Sequence, residues 1–361
     1  MAILESNLSA QGITNVLSKE AIARLKLVAA VAAKRSSRPI LECVSLTFED
    51  GKLYAEATDI TCYVRMCIMD CSDWAPNTRV ILPARQLKAL KAGSTLTIFP
   101  SASTTAFARY SIGGMSGISL DSLSFPVLPS VQSGEWVDAS PTYFEHLAAV
   151  ATHASDSESR PILMGVHHEN NVLVATDGMR LMRVELSESF PTPFNMTGEY
   201  AATLYKIFGS HGATIQTEGV FTKICGLHAT AYIRHIDGTY PATDRIIPTN
   251  FNHVGRLQDS GLWISVLKDG IAAVGKKASA RISFESDRVT VSMQGEDMAT
   301  RYEMELADVG IKDMTIEINP GNLLDALKQT GDCEIKMVDH RAPIVLDGLN
   351  GRRALLALIG R

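Results

Sequence analysis

The cysteines come nearest to a ligand set. Cys62, Cys67 and Cys71 are spaced C-x4-C-x3-C, whereas a zinc site wants a C-x2-C pair facing a second Cys/His pair. The alternation in TCYVRMCIMDC suits a strand, which makes these thiols strand residues. His167-His168 and the other seven histidines show no H-E-x-x-H spacing. Gly113-Gly114-Met115-Ser116-Gly117 fits a turn between strands better than a dinucleotide loop or a nucleophile elbow. Asp59 and Asp177 are candidate acid/base groups, but each follows Ala-Thr at a strand end, which favours a turn or cap. No catalytic set emerges, and no metal or cofactor is implied. The weight falls on a binding or scaffold protein.

Basic residues are more suggestive. Lys34, Arg35 and Arg38 cluster after a helical stretch, and Lys276, Lys277 and Arg281 cluster at the matching place near the C-terminus. Arg85, Lys88 and Lys91 form one stripe at i, i+3 and i+6. Such loops and stripes suit sequence-independent contacts to a phosphate backbone; a solvated surface is the other reading. Net charge is −5, yet residues 1–130 carry 13 basic against 10 acidic residues and the rest 21 against 29. A local positive surface is compatible with an acidic chain.

The 361 residues are 46% hydrophobic and 20% charged. This excludes a disordered chain, a collagen-like fibre and a coiled-coil rod. No run of about 18 apolar residues suggests a membrane span. The start, MAILESNLSAQG, lacks the basic and apolar regions of a signal peptide, so the cytoplasm is the expected compartment.

The elements that must position these residues repeat. RPILECVSLTFEDGKLYAEATD (38–59) and RPILMGVHHENNVLVATD (160–177) share their start and end, and KKASARISFESDRVTVSM (276–293) is a weaker third copy. A helical stretch precedes each: 18–34 with Ser18 as N-cap, 141–154 and 261–276. A second follows each, from Pro83, Thr197 and Asn319, ending near Gly93, Gly209 and Gly331. The chain reads as three α+β units of about 120 residues each. Boundaries are expected in 125–134 and 248–252, giving domains 1–130 (with 1–11 as an extension), 131–250 and 251–361.

Two stretches, VATDGMRLM (174–182) and HIDGTYPATDRIIP (235–248), interleave apolar residues with Gly, Pro and Arg outside any simple period. The last residues, ALLALIGR, are apolar almost to the end. At these residues the chain resembles the bacterial sliding clamps, the β subunits of DNA polymerase III. ATDGMRL resembles that family's ATDGHRL, and IDGTYPATDRIIP its DGxFPDYRRVxP. RPIL, FPVLP (125–129) and RPILMG fit in register. The resemblance spans nearly the whole chain in layout and is close in a few motifs.

The resemblance implies three clamp domains, each with two helices packed on antiparallel sheets, and a head-to-tail homodimeric ring around duplex DNA. The ring would not be an enzyme. It would give processivity by tethering the replicative polymerase, and would also meet a clamp loader and other clamp-motif proteins. By the same resemblance, Leu163, Thr176, Gly178, Met179 (His in the family pattern), Arg180, Leu181, Pro241 and Ile246 match a peptide-binding pocket. Leu355, Leu356, Leu358 and Ile359 replace the family's Met-Pro-Met-Arg-like tail. Arg35, Arg38, Arg85, Lys88, Arg160, Lys276 and Lys277 are the expected DNA contacts. Ile118 and Leu120 of one chain are expected to meet Ile271 and Ala272 of the other. The rival expectation is a clamp-derived interaction scaffold that no longer encircles DNA, motivated by Glu145 and Glu199 in the middle helices.

Overall fold

The computed structural model describes residues 12–71, 78–99, 108–275, 277–285, 288–305 and 310–359. The first third runs β1 (Ile13–Val16), α1 (Lys19–Val31), β2 (Cys43–Glu49), β3 (Lys52–Thr58), β4 (Cys62–Asp70), β5 (Arg79–Pro83), α2 (Ala84–Lys88), β6 (Thr95–Phe99), β7 (Arg109–Ile112) and β8 (Met115–Ile118). The middle runs β9 (Trp136–Ala139), α3 (Pro141–Ala151), β10 (Gly165–Thr176), β11 (Arg180–Thr197), α4 (Ala201–Phe208), β12 (Ala213–Glu218), β13 (Phe221–Cys225) and β14 (Ala229–Arg234). The last runs β15 (His253–Leu257), α5 (Ser260–Val274), β16 (Ala280–Phe284), β17 (Arg288–Gln294), β18 (Ala299–Glu305), β19 (Met314–Ile318), α6 (Pro320–Thr330), β20 (Cys333–Met337), β21 (Ile344–Gly348) and β22 (Arg352–Leu356). First and last thirds share one order, β-α-β-β-β-β-α-β-β-β.

The middle third has the same layout with strands fused. β10 bends at Asn170, whose φ is +51°, and its register to β11 shifts there. Its first half pairs with residues 194–197 and its second half with 181–185. β10 and β11 thus each serve as two strands.

Local signals explain the helices. Ser18 caps α1 by accepting the Ala21 N–H at 3.0 Å. Ile22, Leu25, Val28 and Ala29 then fall on one buried face. Asn319 caps α6 through the Asn322 N–H, with Pro320 in the first turn. The helix expected from Pro83 is shorter than its sequence suggests. It stops at Lys88, and the chain turns at Gly93, where φ is +82°.

The chain divides into two compact units, 1–144 with 200–235, and 145–199 with 236–361. The division cuts the middle third because its strands pair in two directions. In the first unit an eight-stranded sheet runs β5-β2-β3-β4-β14-β13-β12-β9, joined by β4 against β14. In the second a sheet runs β10-β11-β22-β21-β20-β15, joined by β11 against β22. Each unit also holds a four-stranded sheet, β1-β6-β7-β8 in the first and β18-β17-β16-β19 in the second. Among the described residues no helix is long and apolar enough to cross a membrane.

Candidate peptide pocket and basic loops

The ATDGMRL segment makes a tight turn between β10 and β11. Asp177 Oδ1 accepts the N–H groups of Met179 (2.8 Å) and Arg180 (3.0 Å), the local capping that suits aspartate to turns. The Thr176 hydroxyl donates to the Arg180 carbonyl (2.6 Å) and accepts the Gly178 N–H (3.0 Å). Gly178 has φ +94°, and a Cβ there would lie 2.8 Å from Arg160 Nη1, so this position needs glycine. The turn leaves Met179 57% exposed at its tip and Leu181 only 1% exposed at its base.

Leu181 belongs to one apolar cluster with Leu163, Val174, Tyr240, Val345 and Leu355. Ile162, Val172, Ile247 and Phe251 pack against it. The strand register builds this group. Leu181 stands opposite Leu355, and Leu355 opposite Val345, so the three share one sheet face. Leu163 comes from the short 3-10 helix Pro161–Met164, with Arg160 at its start. Tyr240 is held from two sides. Its hydroxyl accepts the Thr176 N–H (3.1 Å), and His167 stacks on its ring at 4.8 Å. Burial pushes the Tyr240 phenol up to about 12, so it stays neutral. Asn195 fixes the loop beside it, donating to Gly238 O at 3.1 Å and meeting His167 Nδ1 at 2.7 Å.

Pro241 is exposed and lines an adjoining cavity of about 760 Å3 with Tyr240, Val172, Val174, Arg183 and Arg245. Ile246 is 53% exposed. The C-terminal tail closes another side. The Ala357 N–H donates to Met179 O (2.9 Å) and the Ile359 N–H to Glu317 O (2.8 Å). Leu358 bridges to Ile318, and Ile359 is 41% exposed. Leu356 is fully buried and, one residue from Leu355, points to the opposite face of β22.

Arg180 is tied inward. Its Nε meets Asp177 Oδ2 at 3.0 Å, Nη1 meets Asp325 Oδ2 at 2.8 Å, and Nη2 meets Thr152 O at 3.2 Å. Beside it, His153 is 0% exposed. Burial, reinforced by the Arg180 charge, pushes its imidazole down to about 4. Sequence reasoning missed Val174, Tyr240, Val345, Ile247 and Phe251 as cluster members. For Val174 and Val345 the signal was the apolar runs of β10 and β21, but the partners are fixed by pairing across distant segments.

Of the expected phosphate contacts, Arg35 and Arg38 are exposed between α1 and β2, Arg85 and Lys88 are exposed on α2, and Lys277 is exposed before β16. Arg160 is exposed too, but its Nη2 donates to Asp177 O at 2.8 Å, which puts it at the rim of the apolar cluster. Lys276 lies outside the described residues. Ile118 is 57% and Leu120 42% exposed. Ile271 is half-buried and Ala272 exposed in the last turn of α5. All six cysteines are free thiols, and burial raises Cys71 to about 11 and Cys333 to about 12.

No family model matches the chain. The β sliding clamp of Synechococcus elongatus is 26% identical over 356 residues, covering 90% of this chain and 92% of that one. The β sliding clamp of Synechocystis is 23% identical over 371 residues, covering 91% and 93%. The DNA polymerase III β subunit of Thermotoga maritima superposes with a TM-score of 0.80 at 20% identity, over 96% of this chain and 99% of that one. A sliding clamp of Bartonella birtlesii bound to griselimycin gives 0.83 at 17% identity, over 97% and 100%. The likeness to these solved structures shows the fold.

Proposed function

We propose, from the premise that this chain is a divergent bacterial sliding clamp, that two copies join head to tail around duplex DNA and tether the replicative polymerase. The protein is a non-catalytic processivity subunit. Its three domains are 1–130, 131–250 and 251–361.

One observation carries the ring. The two four-stranded sheets are complementary halves of the eight-stranded one. β19-β16-β17-β18 repeats the element order of β5-β2-β3-β4, and β8-β7-β6-β1 repeats that of β14-β13-β12-β9. In the eight-stranded sheet the halves meet through β4 and β14. Among the described residues their counterparts, β18 and β8, are edge strands. The partner each edge lacks is the other one on a second copy, and an open edge is a ready template for such pairing. Exposed Ile118, the last residue of β8, and Met298 beside β18 are the apolar residues such a contact would cover. At the start of β8, the two-residue turn Gly113-Gly114 fixes the alternation of bonds. Counting from the closing pair Ile112–Met115, the N–H groups of Ser116 and Ile118 point to the free edge.

Exposed Arg35, Arg38, Arg85, Lys88 and Lys277 supply mobile phosphate contacts in the hole. Topological closure lets each contact be weak. The apolar cluster around Leu163, Leu181 and Leu355, with Met179, Pro241, Ile246 and the 358–359 tail at its margin, is the docking pocket for partner peptides and the clamp loader. A pliable Met179 can line it.

The test is retention on DNA. After loading, the protein should stay on a nicked circle through a high-salt wash and slide off once the circle is cut. Loss from both forms alike would reject encirclement and leave a peptide-binding scaffold. Griselimycin, which the Bartonella relative binds, is the probe for the pocket. It should bind the wild-type chain and lose affinity in Leu181→Ala.

A further inference from the structure

Each Ala-Thr-Asp turn is tied by a side chain to the second helix of the next repeat. In the first unit the Tyr200 hydroxyl, at the start of α4, donates to Asp59 Oδ2. Asp59 Oδ1 meanwhile accepts the N–H groups of Thr61 and Cys62. In the second unit Asp177 keeps the same inner bonds, and its outer oxygen takes Arg180 Nε (3.0 Å). Arg180 Nη1 then reaches Asp325 Oδ2 on α6 at 2.8 Å. Two unlike chemistries thus occupy one structural position, which marks the link itself as the shared feature.

The guanidinium has little left to offer a ligand. Its side chain is 15% exposed, and Nε, Nη1 and Nη2 all donate within the protein. Asp325 is held in turn by Lys328 at 3.2 Å. Burial alone would raise the Asp325 carboxyl; the bonds and charges of Arg180 and Lys328 outweigh it and hold it below the usual carboxylate range.

We propose that Asp325 is a positioning residue for the peptide pocket: by fixing Arg180 it clamps the 177–181 turn against α6 and sets Met179 at the rim. The inference rests on the pocket reading above. Without Asp325 the guanidinium keeps Asp177 but loses its anchor on α6, so the turn and Met179 can swing.

The experiment uses the full-length dimer with griselimycin as the probe, in wild type, Asp325→Asn, Asp325→Glu, Arg180→Met and the double variant. Asp325→Asn keeps size and removes charge. It should weaken griselimycin about tenfold, within the coupling range of contacting residues, and Asp325→Glu should recover most of that. In the Arg180→Met background, Asp325→Asn should add less than about twofold, because Asp325 acts only through Arg180. Amide exchange without ligand should quicken at Met179 and Arg180, whose N–H groups bond Asp177, and not across the β16–β19 sheet. A merely structural role would speed exchange broadly and add fully to Arg180→Met, which would overturn the proposal. Unchanged affinity in Asp325→Asn, with wild type binding normally, would overturn it alone. Failure of wild type to bind would overturn the pocket reading and this proposal together.

Discussion

Replacing Tyr240 by Phe removes one oxygen from the base of the pocket and nothing else. Tyr240 is 7% exposed, and its hydroxyl accepts the buried Thr176 N–H at 3.1 Å. The ring volume is kept, so no cavity opens and the stack with His167 survives. What remains is a buried amide without its acceptor, which costs about 1–3 kcal/mol. For a unit of this size, about 2 kcal/mol lowers the melting midpoint by roughly 4–8 °C. Because the same N–H helps hold the turn that carries Met179, griselimycin should also bind less well. Calorimetry of wild type and Tyr240→Phe at neutral pH, followed by a binding titration, measures both. A midpoint within about 1 °C of wild type, together with unchanged affinity, would refute the assignment of this bond as a support of the pocket.

Leu181→Ala and Leu355→Ala each truncate a residue at most 5% exposed, so each should cost about 2–5 kcal/mol and abolish griselimycin binding while the dimer persists; calorimetry and light scattering together check this. Gly178→Ala forces a Cβ into a φ of +94° against Arg160, and should lose about 1–2 kcal/mol and perturb the pocket, seen as a lower midpoint and weaker binding. His153 is held near 4 in the folded state against about 6.5 unfolded, so the unfolded chain binds the extra proton between these values. Stability should therefore fall by about 3 kcal/mol as pH drops from about 6.5 to 4; denaturation midpoints of His153→Gln should lack that part of the decline. Replacing Arg35, Arg38 and Lys277 by Ala should flatten the salt dependence of DNA binding by about 0.9 in slope per lost phosphate contact; an unchanged slope rejects those contacts.

The repeat was legible because Arg-Pro-Ile-Leu and Ala-Thr-Asp mark the same two corners in the first two repeats. The resemblance to the clamp family, carried by ATDGMRL and RPILMG, is what named Leu163, Thr176 and Leu181. Leu355 was legible as part of an apolar tail, but its separation from Leu356 depends on the pleat of β22, which sends neighbours to opposite faces. Val345 was hidden because the pairing that brings it to Leu181 through Leu355 joins segments far apart in the chain, and Phe251 because it packs on the cluster from outside any strand. Arg180 illustrates another limit. A motif match names the residue as pocket lining, while only the fold shows its charge satisfied by Asp177 and Asp325. Arg160 differs in the same way: its loop position suggests phosphate, and its bond to Asp177 O places it beside the turn. The half-sheets are a property of strand order, which no local pattern encodes.

The central claim is that β8 of one copy completes the sheet edge of β18 on another. Its most direct test is solution mass by light scattering across a dilution series, for wild type and for Ser116→Pro. Proline at 116 removes an outward N–H and should leave the Ser116 pairing with Ser111 in its own sheet intact. The account predicts a wild-type mass of about 78 kDa, twice 39.1 kDa, and a folded 39.1 kDa monomer for Ser116→Pro. A wild-type monomer at every concentration, or an undiminished dimer in Ser116→Pro, would contradict it.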